Sequence, residues 1–174
     1  MIGPKPGGGL VTAALLMLAA LSYACAQPPA QGPAAEDASF VVDGRTIQLK
    51  GGAFEEAAAP GSASKIKLQL TGKQAAGDLD GDGKQDTAVG LTYSGGGSGA
   101  FYHVAVLLSS QIGRAAETVL LGDRITLETV AVENGRLRVE FLDRRSGEAF
   151  AAPPTVHTRR DFRVSNGRLT PVSP

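Results

Sequence analysis

From residue 39 onward, apolar side chains recur at alternate positions in short runs divided by Gly, Asn and Asp. That is the pattern of half-buried strands joined by tight turns. Lys65 to Leu70 is the cleanest case: Ile66, Leu68 and Leu70 share one face, and Lys67 and Gln69 share the other. Ser39–Val42 and Arg45–Leu49 flank Asp43-Gly44, a hairpin turn signal. Two later pairs, 125–132 with 136–142 and 155–164 with 168–172, are divided by Asn134-Gly135 and Asn166-Gly167. Asn-Gly supplies the positive φ that both centres of a type I′ turn require. Turn chemistry therefore accounts for the likeness of Val132–Leu137 to Val164–Leu169. Thr87–Tyr93 and Phe101–Leu108 form another pair across Gly95–Gly99, and the second run, apolar on both faces, predicts a central strand. Val119–Asp123 reads as a short strand and turn, and Ala53–Ala59 (AFEEAAA) as a turn or two of helix stopped by Pro60-Gly61. The whole predicts a mainly β fold with little helix, an antiparallel sandwich or a partly closed barrel built from hairpins.

The beginning of the chain follows another pattern. One positive charge, Lys5, precedes an uncharged apolar run from Leu10 to Leu21, and Ser-Tyr-Ala-Cys-Ala-Gln follows. A weakly basic start, a run too short to span a bilayer and a small-residue exit predict a secretory signal peptide over residues 1–24. Ala24-Cys25-Ala26 fits ordinary signal peptidase, cutting before Gln27. Leu21 to Cys25 instead resembles a bacterial lipobox, with Ser22 standing where Leu is usual; cleavage would then fall before a lipid-modified Cys25. Cys25 is the single cysteine of the chain and falls where the apolar run ends, which favours lipidation. Residues 25–38 are rich in Pro and Ala and aperiodic, a disordered tether, and 39–174 has the length of one β domain with no cysteine pair to staple it. The expected location is the periplasm or outer membrane, the latter by analogy with lipoproteins in which Ala rather than Asp follows the cysteine.

The sharpest chemical signal is Asp78-Leu-Asp-Gly-Asp-Gly-Lys-Gln-Asp86. Two like charges about 4 Å apart repel by roughly 4 kcal/mol at an effective dielectric near 20, so a loop that gathers such groups calls for a cation. Oxygen ligands at positions 1, 3 and 5, with Gly83 at the sharp turn of position 6, suit calcium. Asp78, Asp80 and Asp82 are the expected side-chain ligands, Lys84 the backbone-carbonyl ligand, and Asp86 fills position 9. Position 12, a bidentate Glu in an EF-hand, is Val89 here and lies in a predicted strand. The spacing Asp-x-Asp-x-Asp-Gly-x-x-Asp before an apolar strand resembles the calcium loops of FG-GAP and VCBS repeats. The likeness covers about residues 78–92. Those proteins use the loop repeatedly, so a single copy does not imply a propeller.

More of the chain, about 54–164, resembles small uncharacterised exported bacterial proteins and lipoproteins. It does so through Ala59-Pro-Gly-Ser-Ala-Ser-Lys65, the Asp loop, Gly96-Gly-Ser-Gly-Ala-Phe-Tyr102 and Leu120-Leu-Gly-Asp-Arg124. That resemblance implies an envelope protein without assigning an activity.

Net charge is +0, yet Arg136, Arg138, Arg144, Arg145, Arg159, Arg160, Arg163 and Arg168 crowd the C-terminal part. Solvated strand faces explain this; a basic surface toward anionic lipid or cell-wall polymer is the functional counterpart. Nucleic acid is not an expected partner of an exported chain. The glycines of 95–99 lack the Lys-Ser/Thr ending of a phosphate loop; Tyr93, Phe101 and Tyr102 beside them could form a ligand-facing rim. His103 and His157 stand far apart, and no nucleophile-elbow pattern accompanies them. Asp143 and Glu148 flank Arg144-Arg145, a pattern of surface ion pairs. The expectation is a non-catalytic binding or structural module of the cell envelope, stapled by calcium and partnered by an envelope protein or cell-wall polymer. A small periplasmic hydrolase, or an inhibitor of one, is the alternative.

Overall fold

Each of the three Asx-Gly pairs between predicted hairpin strands forms the turn its chemistry favours. Asp43 and Gly44 have φ of 50° and 76°, Asn134 and Gly135 51° and 69°, Asn166 and Gly167 53° and 76°, all in the left-handed region that type I′ turns use. A computed structural model describes residues 2–3, 32–149 and 151–172 of the chain. The strands are β1 (Ser39–Val42), β2 (Arg45–Gln48), β3 (Ala53–Ala57), β4 (Lys65–Gly77), β5 (Asp86–Gly95) and β6 (Phe101–Leu107), then β7 (Ala116–Asp123), β8 (Thr126–Glu133), β9 (Arg136–Asp143), β10 (Val156–Ser165) and β11 (Arg168–Pro171). A 3-10 turn, Ser109–Gln111, follows β6. Among the described residues no helix is long and apolar enough to cross a membrane. The expected signal peptide and Cys25 lie outside the described residues.

Seven strands form one sheet in the order β2-β1-β7-β6-β5-β4-β3, and four form another in the order β11-β10-β9-β8. The larger sheet curls until its edge strands approach each other. The Lys50–Ala53 bridge joins the chain between them, and Arg45 reaches from β2 to Glu56 on β3 at 2.5 Å. Arg45 also lies 5.7 Å from the Phe54 ring centre. Inside this nearly closed, barrel-like sheet sit Phe40, Val42, Ile47, Leu49, Leu68 and Leu91. The second core, with Val104, Val106, Leu127, Val139, Phe141 and Phe162, lies where the four-stranded sheet covers the outside of the larger one. β6 serves both cores, Ala105 and Leu107 facing in and Val104 and Val106 facing out. This two-sided burial is why its sequence is apolar without alternation.

Several expectations change. Ala53–Ala57 is a strand, β3, and not a helical turn. A helix this short gains too few hydrogen bonds to offset its nucleation, whereas as a strand it places Phe54 opposite Leu68 and Glu55 opposite Lys67. Glu55 pairs with both Lys65 and Lys67, and their hydrogen bonds hold its carboxyl down at about 2. β4 runs on past Leu70 to Gly77, with an irregularity between Leu70 and Gln74. Gly72 has a φ of 77° there, and that break is what ends the visible alternation. The β1–β7 pair is parallel, through Phe40–Ala116 and Val41–Glu117; five other strands intervene in the chain before β7 returns beside β1. Finally, Ala35, expected within the tether, is 2% exposed and packs in the inner core. Asp37 Oδ1 accepts the Gly51 N–H at 3.0 Å, so the packed unit begins before residue 39.

Gly90 matters for the stacking of the two sheets. A Cβ there would come within 2.4 Å of Leu127 Cδ2 and 2.7 Å of Thr71 Oγ1. The missing side chain is what lets β8 approach β5.

Candidate metal site in the Asp78–Asp86 loop

The loop joins β4 to β5, and the Gly77–Asp86 pair closes its base. Gly81 and Gly83 have φ of 82° and 81°, a conformation costly to side chains with a Cβ. Gly83 was the glycine marked by the spacing; Gly81 is a second one.

Asp86 is wholly buried. Its Oδ2 accepts the Leu79 N–H at 2.9 Å and its Oδ1 the Ser109 N–H at 2.9 Å. Asp78 accepts from Gly81 N–H through Oδ1 at 2.7 Å and from Gly83 N–H through Oδ2 at 2.9 Å. Asp80 Oδ1 accepts the Asp82 N–H at 3.2 Å, and its Oδ2 the Ser110 hydroxyl at 2.7 Å. The curl therefore brings one oxygen each of Asp78, Asp80 and Asp86 within 4.8 Å of one another. Oxygens on opposite sides of an ion with bonds of 2.3–2.6 Å lie about 4.6–5.2 Å apart. Such a group could hold a metal ion, and each carboxylate oxygen keeps lone-pair capacity beyond its amide bond.

Asp82 is not a member of that group. Its Oδ1 accepts the Lys84 N–H at 2.8 Å and its Oδ2 faces the Ser109 hydroxyl at 3.4 Å. Lys84, expected to lend its carbonyl, thus sits in the loop with its amide committed to Asp82. Ser109 and Ser110, on the 3-10 turn after β6, escaped the sequence reading. They follow Asp86 by more than twenty positions, and nothing local marks a Ser-Ser pair at a strand end as the roof of an acidic loop.

The other candidates do not gather. His103 is 4% exposed, with its ring edge-on to Tyr93 at 6.2 Å between centres. Its Nδ1 has no hydrogen-bond partner among the described residues. Burial pushes its imidazole below the ordinary value, against a smaller opposite pull from Asp43. His157, 81% exposed, has Nδ1 3.3 Å from Glu128. No hydroxyl donates to either ring among the described residues. Arg145 does pair with Glu148 at 3.4 Å. Arg144 instead turns inward and donates to three carbonyls, Ala152 at 2.6 Å, Arg124 at 2.8 Å and Asp123 at 3.4 Å.

Much of the arginine-rich part is internally paired: Arg138 with Glu133 and Asp161, Arg159 with Asp161 at 2.6 Å and Arg168 with Glu117 at 2.7 Å. Arg160 lies 5.2 Å over the Phe141 ring. Arg159 and Arg138 together hold the Asp161 carboxyl below its usual range.

Comparison of the chain with protein-family models, with curated proteins and with solved structures finds no match.

Proposed function

We propose that this is an exported protein, anchored through a lipid on Cys25, whose β unit is stapled by calcium and serves the cell envelope as a binding or structural module. The three carboxylates of Asp78, Asp80 and Asp86 within 4.8 Å of one another carry the cation part of this reading. An all-oxygen donor set favours a hard ion, and the Gly81 and Gly83 turns give the loop the adaptable geometry that calcium tolerates better than magnesium does. Asp82 and the Lys84 carbonyl complete the proposed coordination. The apolar run before Cys25 supports export and anchoring.

Calcium would act on the fold and not on a substrate. The loop ties β5 to the turn after β6, so an ion there holds together strands that serve both cores. The test is a thermal melt with calcium and then with chelator. An ion bound at a hundred times its Kd adds about 2.7 kcal/mol, so the melting temperature should climb with calcium concentration. A melt indifferent to calcium, magnesium and chelator would sink the staple. Cell fractionation tests the anchor separately: Cys25→Ser should move the protein out of the membrane fraction.

A further inference from the structure

The chain enters the packed unit beside the Asp loop. A Cβ on Gly32 would fall 2.4 Å from Thr87 Oγ1 and 2.7 Å from the Asp86 carbonyl. From there residues 32–38 cross to the link between β2 and β3. Ala35 is buried in the inner core, the Glu36 carbonyl accepts the Gly52 N–H at 2.7 Å, and the Ala38 carbonyl accepts the Leu49 N–H at 2.9 Å. Asp86, whose backbone lies under Gly32, also accepts the Ser109 N–H through Oδ1 at 2.9 Å. A single residue thus separates the point of entry from the 3-10 turn after β6.

Three positions beyond Ser109 stands Ile112. It is 78% exposed, more than any other large apolar side chain among the described residues from 32 on. One exposed apolar residue is ordinary on a surface; the placement of this one is not. A cleft of about 970 Å³ lies where the start of the described chain, the loop before β7 and the β10–β11 turn converge, and Ile112 shares its rim with Pro33 and Ala34. The loop is also held firmly. The Ser110 hydroxyl donates to Asp80 at 2.7 Å, and the Arg114 N–H closes a turn on the Gln111 carbonyl at 3.0 Å. Arg114 is exposed and has no ion pair or side-chain hydrogen bond among the described residues.

We infer that the Gln111–Arg114 loop docks on the phospholipid bilayer that holds the Cys25 lipid, with Ile112 in the headgroup layer and Arg114 on a headgroup phosphate. The inference rests on the lipid anchor proposed above and not on calcium. Cys25 and Gly32 are seven positions apart, a reach of at most about 25 Å for extended chain. β5 runs ten residues from Asp86, beside Gly32, to Gly95, roughly 30 Å. An anchored molecule therefore cannot stand on its Gly95–Gly99 end. Ile112, at most about 11 Å of chain beyond Ser109, lies on the end that the anchor holds down. Asp37 and the Asp loop share that end, so the attraction comes from burying Ile112 and from one guanidinium–phosphate contact, not from bulk charge. A contact too weak to recruit a free protein suffices here, because the anchor makes it intramolecular.

The chain contains no tryptophan, so Ile112→Trp and Gly97→Trp each place a single reporter, one at either end. Both lipidated proteins are carried on phosphatidylcholine vesicles, with and without brominated acyl chains. The reporter at 112 should shift to the blue and lose emission to bromine, less so when Arg114→Glu is added. The reporter at 97 should do neither. Tryptophan favours the interface by itself, so amide exchange of the unsubstituted protein is the second measurement. Exchange over 111–114 should be slower on vesicles than in the Cys25→Ser protein in solution. Ile112→Asp should restore it and, at so exposed a position, leave the melting temperature unchanged. Protein that fails to float with the vesicles lacks the anchor, and the docking falls with that reading. Protein that floats with an unquenched reporter at 112, with equal quenching at 97, or with 111–114 exchange no slower than in solution overturns the docking alone.

Discussion

Two polar loops of this protein face the same problem with opposite charges. Each must turn the chain at the end of a sheet and satisfy backbone groups that no strand pairs. After β9 the chain does it with a cation of its own. Arg144 donates to the Ala152, Arg124 and Asp123 carbonyls, and the guanidinium fork supplies several donors at once. After β4 the chain uses anions. Asp78, Asp80, Asp82 and Asp86 accept amides from within the loop and from Ser109. The guanidinium loop is complete as synthesised. The carboxylate loop gathers charge that its amides offset in part, and an external cation would offset the rest.

The comparison is tested hardest at Asp86. In calcium-containing buffer, Asp86→Ala should cost about 3–5 kcal/mol, because it strands the Leu79 and Ser109 amides, each worth about 1–3 kcal/mol when buried without a partner. Urea unfolding measures it. A loss under about 1 kcal/mol would mean that water replaces the carboxylate and that the loop is not pinned. Withdrawing calcium comes next, with the expected loss of about 2.7 kcal/mol from saturation at a hundred times Kd. Arg144→Ala should cost about 2 kcal/mol by freeing carbonyls, and its melting temperature should respond to calcium as fully as the parent's does. A blunted response in that variant would show that the two loops are not independent. Asp80→Ala against Asp143→Ala is a finer contrast, with about 1 kcal/mol separating them in calcium. Asp80 stands in the carboxylate group, whereas Asp143 Oδ1 accepts the adjoining Arg144 amide. Equal effects in calcium would count against the site.

The contrast also marks how much could be seen in the sequence. The gathering of Asp78, Asp80 and Asp86 was legible because these carboxylates are local: spacing and two glycines within nine positions set the curl. The Asx-Gly hairpins were legible for the same reason, since turn chemistry is a property of adjacent residues. Arg144 was read as a surface ion-pair residue because its partners, Arg124 and Ala152, lie on other segments. Ser109 and Ser110 were missed on the same ground. The helix expected at Ala53–Ala59 failed because Ala and Glu favour helix locally, while Phe54 and the Glu55–Lys67 pairing lie across the sheet. The β1–β7 pairing has no local signature at all, and neither has the cleft, which three separate segments enclose.

His103 gives a third arrangement, a buried polar group with neither internal cation nor clustered anions to answer it. Burial lowers its folded-state pKa below the unfolded value of 6.5. The unfolded chain therefore binds the proton first, and stability is full above that value. It declines as pH falls from the unfolded pKa toward the folded one, by at most about 1.4 kcal/mol per pH unit. Glu55 and Asp161 have depressed pKa values, so their contributions stay intact until pH falls into the carboxylate range. A melting series from about pH 7.5 to about pH 5 isolates the histidine. His103→Phe, similar in volume and without a proton to gain, should flatten that slope and leave the calcium response as it is. A variant with an unchanged slope would place the acid sensitivity elsewhere than in His103.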